Sequence, residues 1–219
     1  MKLKALFINC TLKYTPEASN TFGLIEKVAG FMNELDVETE IIRATDFKIY
    51  YGITDKKVKD DDEWPKINEK IIGCDILVIG TPIWMGVRSS LCQLVIERIN
   101  GGTGNVDEKT GQPVYYNKAG GVIITGNEDG AHDCAANTLF NLSHFGFSIP
   151  AYADSYWVGD AGPGADYLDE NGGGKRSLYT NKTSRFMAHN LVHLAKLLKE
   201  NPYPINIKEL TEEAKKESE

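Results

Sequence analysis

The sequence has little of what marks membrane-spanning or nucleic-acid-binding proteins. No apolar run approaches the roughly 20 residues that a membrane-spanning helix needs, and the first apolar run, of about six residues, is shorter than the core of a secretion signal. The formal charge of −7 argues against a broad nucleic-acid footprint, because phosphate neutralisation requires clustered Lys and Arg. We therefore expect a cytoplasmic protein without membrane or nucleic-acid partners.

Several local site motifs are also missing. The four cysteines lie far apart and form no C-x-x-C pair, so the sequence predicts no zinc or iron–sulfur site, and reduced thiols explain them most simply. There is no G-x-G-x-x-G dinucleotide motif after the first apolar run. The segment NGGGKRS is not a P-loop, because Arg176 stands where Ser or Thr should follow the lysine. A nucleoside triphosphate site is therefore disfavoured.

Short apolar runs alternate with segments of helical period, which is typical of βαβ units and a parallel sheet. The composition, 42% hydrophobic and 25% charged, suits one globular domain through about residue 202, followed by a charged tail of residues 203–219 that packs little. The predicted strands are residues 3–9, 37–42, 74–84 with a buried run at 76–79, 119–125, and a split strand within 147–158 interrupted at Pro150. The predicted helices are residues 20–34, 62–73, 91–99, 131–145 and 184–199.

Five strands with right-handed helical crossovers most economically give a doubly wound α/β fold, with strand order 2-1-3-4-5 and helices on both faces. Ligands bind such sheets where the strand order reverses, at the carboxyl ends of the first and third strands. Two glycine-rich segments, residues 100–117 and 159–174, fall outside the alternation. Loops of this length are either functional covers or mobile decoration, and the second is a candidate lid.

The loop after the first strand is rich in hydrogen-bond donors. A helix start offers unpaired N–H groups and the positive end of a dipole, so an anion is favoured there. We expect Thr11, Ser19, Asn20 and Thr21 to donate to phosphate oxygens and Lys13 to add charge. The alternative is that Ser19 or Asn20 only caps the helix.

The loops after the third and fourth strands complete the predicted site. In the loop after the third strand, a proline stiffens the chain where it leaves the strand, apolar side chains form a surface suited to a flat aromatic ligand, and a glycine lets the backbone approach that ligand closely. The alternative is that Trp84 is a core or interface residue. The loop after the fourth strand offers glycines, polar side chains and a helix start to a polar ring edge. There, Asp129 could be only a cap, and His132 has no identified partner. The candidate residues are Thr81, Pro82, Ile83, Trp84, Met85 and Gly86, and then Thr125, Gly126, Asn127, Glu128 and Gly130.

A phosphate cradle, an aromatic wall and polar ring contacts together indicate a phosphorylated flat heterocycle, which FMN matches. At these residues the sequence resembles the flavodoxin-fold NAD(P)H-dependent FMN reductase family, which includes flavodoxin-like quinone reductases. The family's G-S-x-R and S-N-T phosphate loop corresponds to CTLKYTPEASNT, with Cys10 in place of the glycine. Residues 81–99 resemble its T-P-x-Y/W segment and serine-rich helix start, and residues 121–150 resemble its fourth strand, loop and helix.

The resemblance implies a flavodoxin-like fold with bound FMN that takes a hydride from NADH or NADPH and passes electrons to a quinone, azo or nitro compound. It implies that the flavin carries the chemistry and that no catalytic side chain is required. Trp84 and the loop 126–130 would border the reactive flavin face. A homodimer or homotetramer is expected, with Tyr156 and Trp157 as candidate contacts. A flavodoxin-like one-electron carrier and a redox-sensing protein remain alternatives.

Overall fold

The computed structural model describes residues 2–162 and 164–218. Its parallel sheet has the order β2-β1-β3-β5-β6, and β4 pairs antiparallel with β3. Because β5 and β6 are the predicted fourth and fifth strands, the flavodoxin-like order 2-1-3-4-5 is confirmed. The strands are Leu3–Asn9 (β1), Val37–Arg43 (β2), Ile76–Trp84 (β3), Val87–Arg88 (β4), Ala119–Gly126 (β5) and Asp154–Val158 (β6).

Helices cover both faces of the sheet. Successive side chains of the central strands point to opposite faces, and each face forms an apolar cluster with the helices that cover it. Ile76 and Val78 pack beneath α1 and α5, whereas Leu77 and Ile79 pack beneath α2, α3 and α4. All four side chains are fully buried, as predicted for a central parallel strand. The helices are Asn20–Glu34 (α1), Trp64–Gly73 (α2), Ser90–Asn100 (α3), Ala131–Phe145 (α4), Leu178–Glu200 (α5) and Ile207–Glu217 (α6).

Two helices begin more than one residue away from the predicted start. Helix α5 begins six residues before the predicted residue 184, because the Ser177 hydroxyl accepts a hydrogen bond from the Thr180 N–H at 3.2 Å and caps it. Helix α2 begins at Trp64 rather than at residue 62, whose carboxylate accepts the Trp64 N–H. The split of the fifth strand is confirmed, since Ser148 forms an isolated bridge to Ala119 before β6 begins.

The segment 100–117 is folded against the body and does not reach the carboxyl ends of the strands. Val106 and Pro113 form an antiparallel bridge, and the buried Tyr115 donates its hydroxyl to Asn68 Oδ1 at 2.8 Å. The charged tail forms α6, which has no buried residue but is tied to this segment by the Ile207 N–H, 2.7 Å from the Thr110 carbonyl. The division into a domain of residues 1–202 and a tail of residues 203–219 stays a prediction. Residue 1 of that domain and residue 219 of that tail lie outside the described residues.

A buried ion pair joins α3 to the segment before α2. One guanidinium nitrogen of Arg98 lies 2.8 Å from Asp62 Oδ2 and also donates to the Tyr50 carbonyl at 2.7 Å, and the other terminal nitrogen donates to the Lys56 carbonyl at 2.7 Å. Both side chains are fully buried. Burial opposes ionisation of Asp62, but the N–H groups of Val58 and Trp64 and the Arg98 guanidinium outweigh it, so the pKa of the carboxyl is lowered.

No helix found in residues 2–162 or 164–218 has the length and apolar character required to cross a bilayer.

Candidate functional site

A cavity of about 290 Å³ opens at the carboxyl ends of β1, β3 and β5. This is the position at which the strand order reverses, and therefore where ligands bind in doubly wound sheets. The three predicted loops meet here. The predicted residues that line the cavity are Thr11, Lys13, Asn20, Thr21, Pro82, Ile83, Trp84, Thr125, Gly126, Asn127 and Glu128.

The remaining predicted residues do not line the cavity. They are Ser19, Thr81, Met85, Gly86 and Gly130. The Ser19 hydroxyl accepts the Phe22 N–H at 3.1 Å and is itself buried, so Ser19 is the cap of α1, as the capping alternative states. The buried Thr81 hydroxyl accepts the Ser89 N–H at 3.1 Å and so fixes the start of α3.

The first turn of α1 presents donors to the cavity. Among the described residues, the Asn20 and Thr21 N–H groups form no hydrogen bond. Lys13 supplies a positive charge at the same end of the cavity and has no carboxylate within salt-bridge distance in the described part of the chain. Unpaired N–H groups and a nearby cation are the features that bind a phosphate at a helix start.

Close packing of α1 on the sheet sets the position of this turn. A Cβ at Gly80 of β3 would lie 2.4 Å from Ile25 Cδ1, so glycine is what allows the helix to approach the strand. The approach brings the Thr21 hydroxyl within 2.8 Å of the Thr125 hydroxyl on β5. The first and third loops are therefore linked by a buried hydrogen bond.

The second loop is a tight β-hairpin, which the sequence analysis did not predict. Met85 and Gly86 connect β3 to β4 with φ of 51° and 83°, and Trp84 pairs with Val87. Two-residue hairpin turns require positive φ, so Gly86 is the sequence signal for this turn. The hairpin leaves the Trp84 side chain on the cavity wall and 54% exposed, which excludes a core role for it in the monomer.

The third loop is held against the hairpin. Glu128 Oε1 accepts the Met85 N–H at 2.9 Å, and a Cβ at Gly130 would lie only 2.3 Å from the Gly86 carbonyl oxygen. Gly130, with φ of 132°, is the residue that caps α4, so the suggestion that Asp129 caps this helix is wrong. His132 lies beside the cavity rather than in its lining, with Nε2 3.2 Å from the Tyr156 hydroxyl.

Three residues that the sequence analysis did not assign to the site complete the lining: Leu12, Trp157 and Asp166. Trp157, a predicted candidate for subunit contact, is 7% exposed and packs edge-on to Tyr167 with 5.8 Å between ring centroids. Its place at the end of a strand that reaches the cavity is a signal that could have identified it. The oligomeric state stays a prediction.

The buried cysteine at the end of β1 has no features of a reactive thiol. Burial raises the pKa of the Cys10 thiol well above its usual range, and the neighbouring Cys92 raises it further. A packing role therefore fits Cys10 better than a thiolate. Within the described residues, no group of three or more His, Cys, Asp or Glu side chains is arranged to hold a metal ion.

Comparison with known proteins connects this geometry to flavin chemistry. A model of the family described as NADPH-dependent FMN reductase matches residues 3–158. The 8-demethyl-8-aminoriboflavin-5'-phosphate synthase of Streptomyces davaonensis is 40% identical over 229 aligned positions, covering 100% of this chain and 87% of that protein. The crystal structure of RosB with bound 8-demethyl-8-formylriboflavin-5'-phosphate superposes with a TM-score of 0.93 at 39% identity, covering 99% of this chain and 88% of that one.

A longer relative shares the same region. The divalent metal cation transporter MntH of Mycobacterium bovis is 44% identical over 200 residues, which are 90% of this chain. The chain spans only 29% of the length of that relative.

Proposed function

Since the chain belongs to the NADPH-dependent FMN reductase family, we propose that its cavity binds FMN and that the protein is an FMN-dependent oxidoreductase. Its reductant would be NADPH or NADH, and its electron acceptor a small molecule such as a quinone, azo or nitro compound. Bound FMN would supply the electron-transfer chemistry itself, and the protein would supply binding, orientation and protection from water.

The observation that carries the proposal is the pairing of a phosphate-type end with an aromatic wall in one cavity. Unpaired N–H groups of Asn20 and Thr21 and the charge of Lys13 stand at one end. These are the contacts that the terminal phosphate of FMN needs, and they use no metal ion.

The rest of the cavity suits a flat ring system. The lining residues Pro82, Ile83 and Trp84 form an apolar surface at the end of β3, and Asn127 and Glu128 place polar side chains next to it. Because Trp84 is half exposed, this surface is open to a second planar molecule, as a nicotinamide donor requires. An open face favours an oxidoreductase over a one-electron carrier that shields its flavin.

A second candidate function treats the flavin phosphate as a substrate. The relative from Streptomyces davaonensis, which aligns with 100% of this chain, is named for the synthesis of an aminated riboflavin phosphate. Its similarity extends past residue 158, where the match to the family model ends. In this alternative the same cavity binds riboflavin 5'-phosphate as a substrate. The methyl carbon at ring position 8 would be oxidised by an external oxidant such as dioxygen and released, and an external amine would donate the amino group that takes its place. Both functions require the same phosphate cradle.

The test begins with FMN binding, measured by quenching of flavin fluorescence, and continues with anaerobic titration by NADPH and by NADH. Prompt bleaching of the bound flavin by one of them, with oxidised flavin recovered unchanged by mass spectrometry, supports the oxidoreductase. A flavin recovered with altered mass after aerobic incubation with an added amino donor supports the synthase. A bound flavin that is neither bleached nor altered contradicts both and favours the carrier, and failure to bind FMN contradicts the site itself.

A further inference from the structure

One segment of the cavity wall comes from outside the family-matched residues 3–158. Residues 164–172 follow β6 and fold back onto the start of α1, where Asp166 joins the lining beside Asn20 and Trp157. This segment is part of the candidate lid 159–174, of which Pro163 lies outside the described residues. The segment is docked on the body through several contacts and forms part of the cavity wall.

The docking contacts hold the two residues that follow Asp166 along the chain. The Leu168 N–H donates to Asn20 Oδ1 at 3.0 Å, and a Cβ at Gly23 would lie 2.5 Å from Leu168 Cδ2, so Leu168 packs directly on the α1 backbone. Tyr167 is buried against Trp157. Leu168 contacts the start of α1, which the proposed phosphate site uses, and Asp166 is only two residues before Leu168 in the chain.

The backbone of Asp166 is fixed while its carboxylate is left without a partner. Its N–H donates to Asp169 Oδ2 at 2.9 Å, and its carbonyl accepts the Asp169 N–H at 3.0 Å. Across residues 2–162 and 164–218, no donor is hydrogen-bonded to the Asp166 carboxylate, and no Lys, Arg or His nitrogen lies within 4.0 Å of it. A half-buried carboxylate held on a cavity wall in this way is available to a ligand.

The chemistry of a carboxylate limits what part of the ligand it can contact. An ionised carboxylate only accepts hydrogen bonds, and it repels a phosphate. The polar edge of a flavin ring offers mainly acceptors, with a single ring N–H far from the phosphate, whereas the ribityl chain next to the phosphate offers hydroxyl donors. We infer that Asp166 is a specificity-determining residue that accepts hydrogen bonds from the ribityl hydroxyls of the flavin phosphate; this rests on the proposed FMN site.

The inference is tested with three ligands that differ in the parts Asp166 and Lys13 would recognise: FMN, riboflavin, which lacks the phosphate, and lumiflavin, which lacks the ribityl chain. Dissociation constants are measured by fluorescence for the wild type, Asp166→Ala, Asp166→Asn and Lys13→Ala. We expect Asp166→Ala to weaken FMN and riboflavin binding by the same factor, about tenfold or more, and to leave lumiflavin binding unchanged. Lys13→Ala should weaken FMN binding alone.

Controls separate this effect from charge and folding. Glu170→Gln removes a negative charge from an exposed residue of the same segment and should change none of the affinities. Asp166→Asn keeps the size of the side chain, so it should retain the melting temperature of the wild type and show a smaller loss than Asp166→Ala. Equal FMN affinity of Asp166→Ala and wild type, or an equal loss for lumiflavin, overturns the role of Asp166 while the FMN site stands. Failure of the wild type to bind FMN overturns both.

Discussion

Two polar regions of the molecule treat their charges in opposite ways. In the Arg98–Asp62 cluster, the guanidinium is neutralised by a carboxylate, donates to two backbone carbonyls and lies over the Trp64 ring at 5.4 Å. In the cavity, Lys13 and Asp166 face the same space, and neither has a charged partner among the described residues. Both regions contain charged side chains at the sheet's periphery, yet only one of them is electrostatically complete.

The difference separates structural from binding roles. The charge of a buried, paired group is already neutralised and is not open to a ligand, and removing its partner leaves an uncompensated charge in the interior. A charge on a cavity wall without a partner is solvated until a ligand replaces the water. The first kind of substitution should therefore change stability, and the second should change affinity.

Arg98→Met is the change with the largest expected effect. It leaves the Asp62 carboxylate buried and unpaired, so the free energy of unfolding should fall by about 3–5 kcal/mol, measured by urea denaturation. Arg185→Met is the matched control, because Arg185 pairs with Glu34 at 3.7 Å on the surface and should cost at most about 1 kcal/mol. If the two variants lose the same free energy of unfolding, the buried Arg98–Asp62 pair contributes no more to stability than a surface pair.

Gly130→Ala should cost about 1–3 kcal/mol of stability and also weaken FMN binding. Alanine is strained at a φ of 132°, and its Cβ would meet the Gly86 carbonyl, so the third loop must move away from the hairpin. The control is Gly30→Ala in α1, where no atom lies within 4 Å of an added Cβ. This second variant should be stabilised by about 0.5–1 kcal/mol and bind FMN normally. Thermal unfolding and fluorescence titration measure the two effects.

Trp84→Ala should affect binding with little change in stability. The side chain is 54% exposed on the cavity wall, so few core contacts are lost, but a flavin ring would lose an aromatic contact worth about a tenfold change in affinity. Tyr51→Ala, which removes an 82% exposed aromatic ring outside the cavity lining, is the control and should leave FMN affinity unchanged. If Trp84→Ala binds FMN with the affinity of the wild type, the flavin ring does not contact Trp84.

The smallest expected effect concerns acid stability. Because the pKa of Asp62 is lower in the folded protein than in the unfolded chain, the unfolded state binds more protons in this range. The stabilisation from Asp62 is present above the unfolded pKa of about 4 and is lost as the pH falls through the folded value. Unfolding free energies of wild type and Asp62→Asn, measured from neutral pH downward, should therefore converge at low pH. Parallel curves would show that Asp62 does not contribute in this way.

Local sequence patterns were sufficient for most of the architecture. Buried strands such as residues 76–79 and amphipathic helices such as α1 depend on periodicity, which a short window of residues contains. Where local chemistry was less explicit, boundaries shifted: the Ser177 cap lengthened α5, and the turn at Met85-Gly86 created a hairpin that was not predicted. The charged tail was expected to pack little, and it forms a helix that has no buried residue.

The sequence by itself determined the parallel sheet, the three loops at its carboxyl edge and most of the cavity lining, because each loop directly follows a strand whose direction the βαβ pattern sets. Only the tertiary structure decided that Ser19 is enclosed as a cap, that Trp157 faces the cavity, and that Asp166 returns to the start of α1 from a segment about 145 residues away. Contacts between residues so distant along the chain depend on how α1, β6 and the 164–172 segment pack together, and no local periodicity encodes that arrangement.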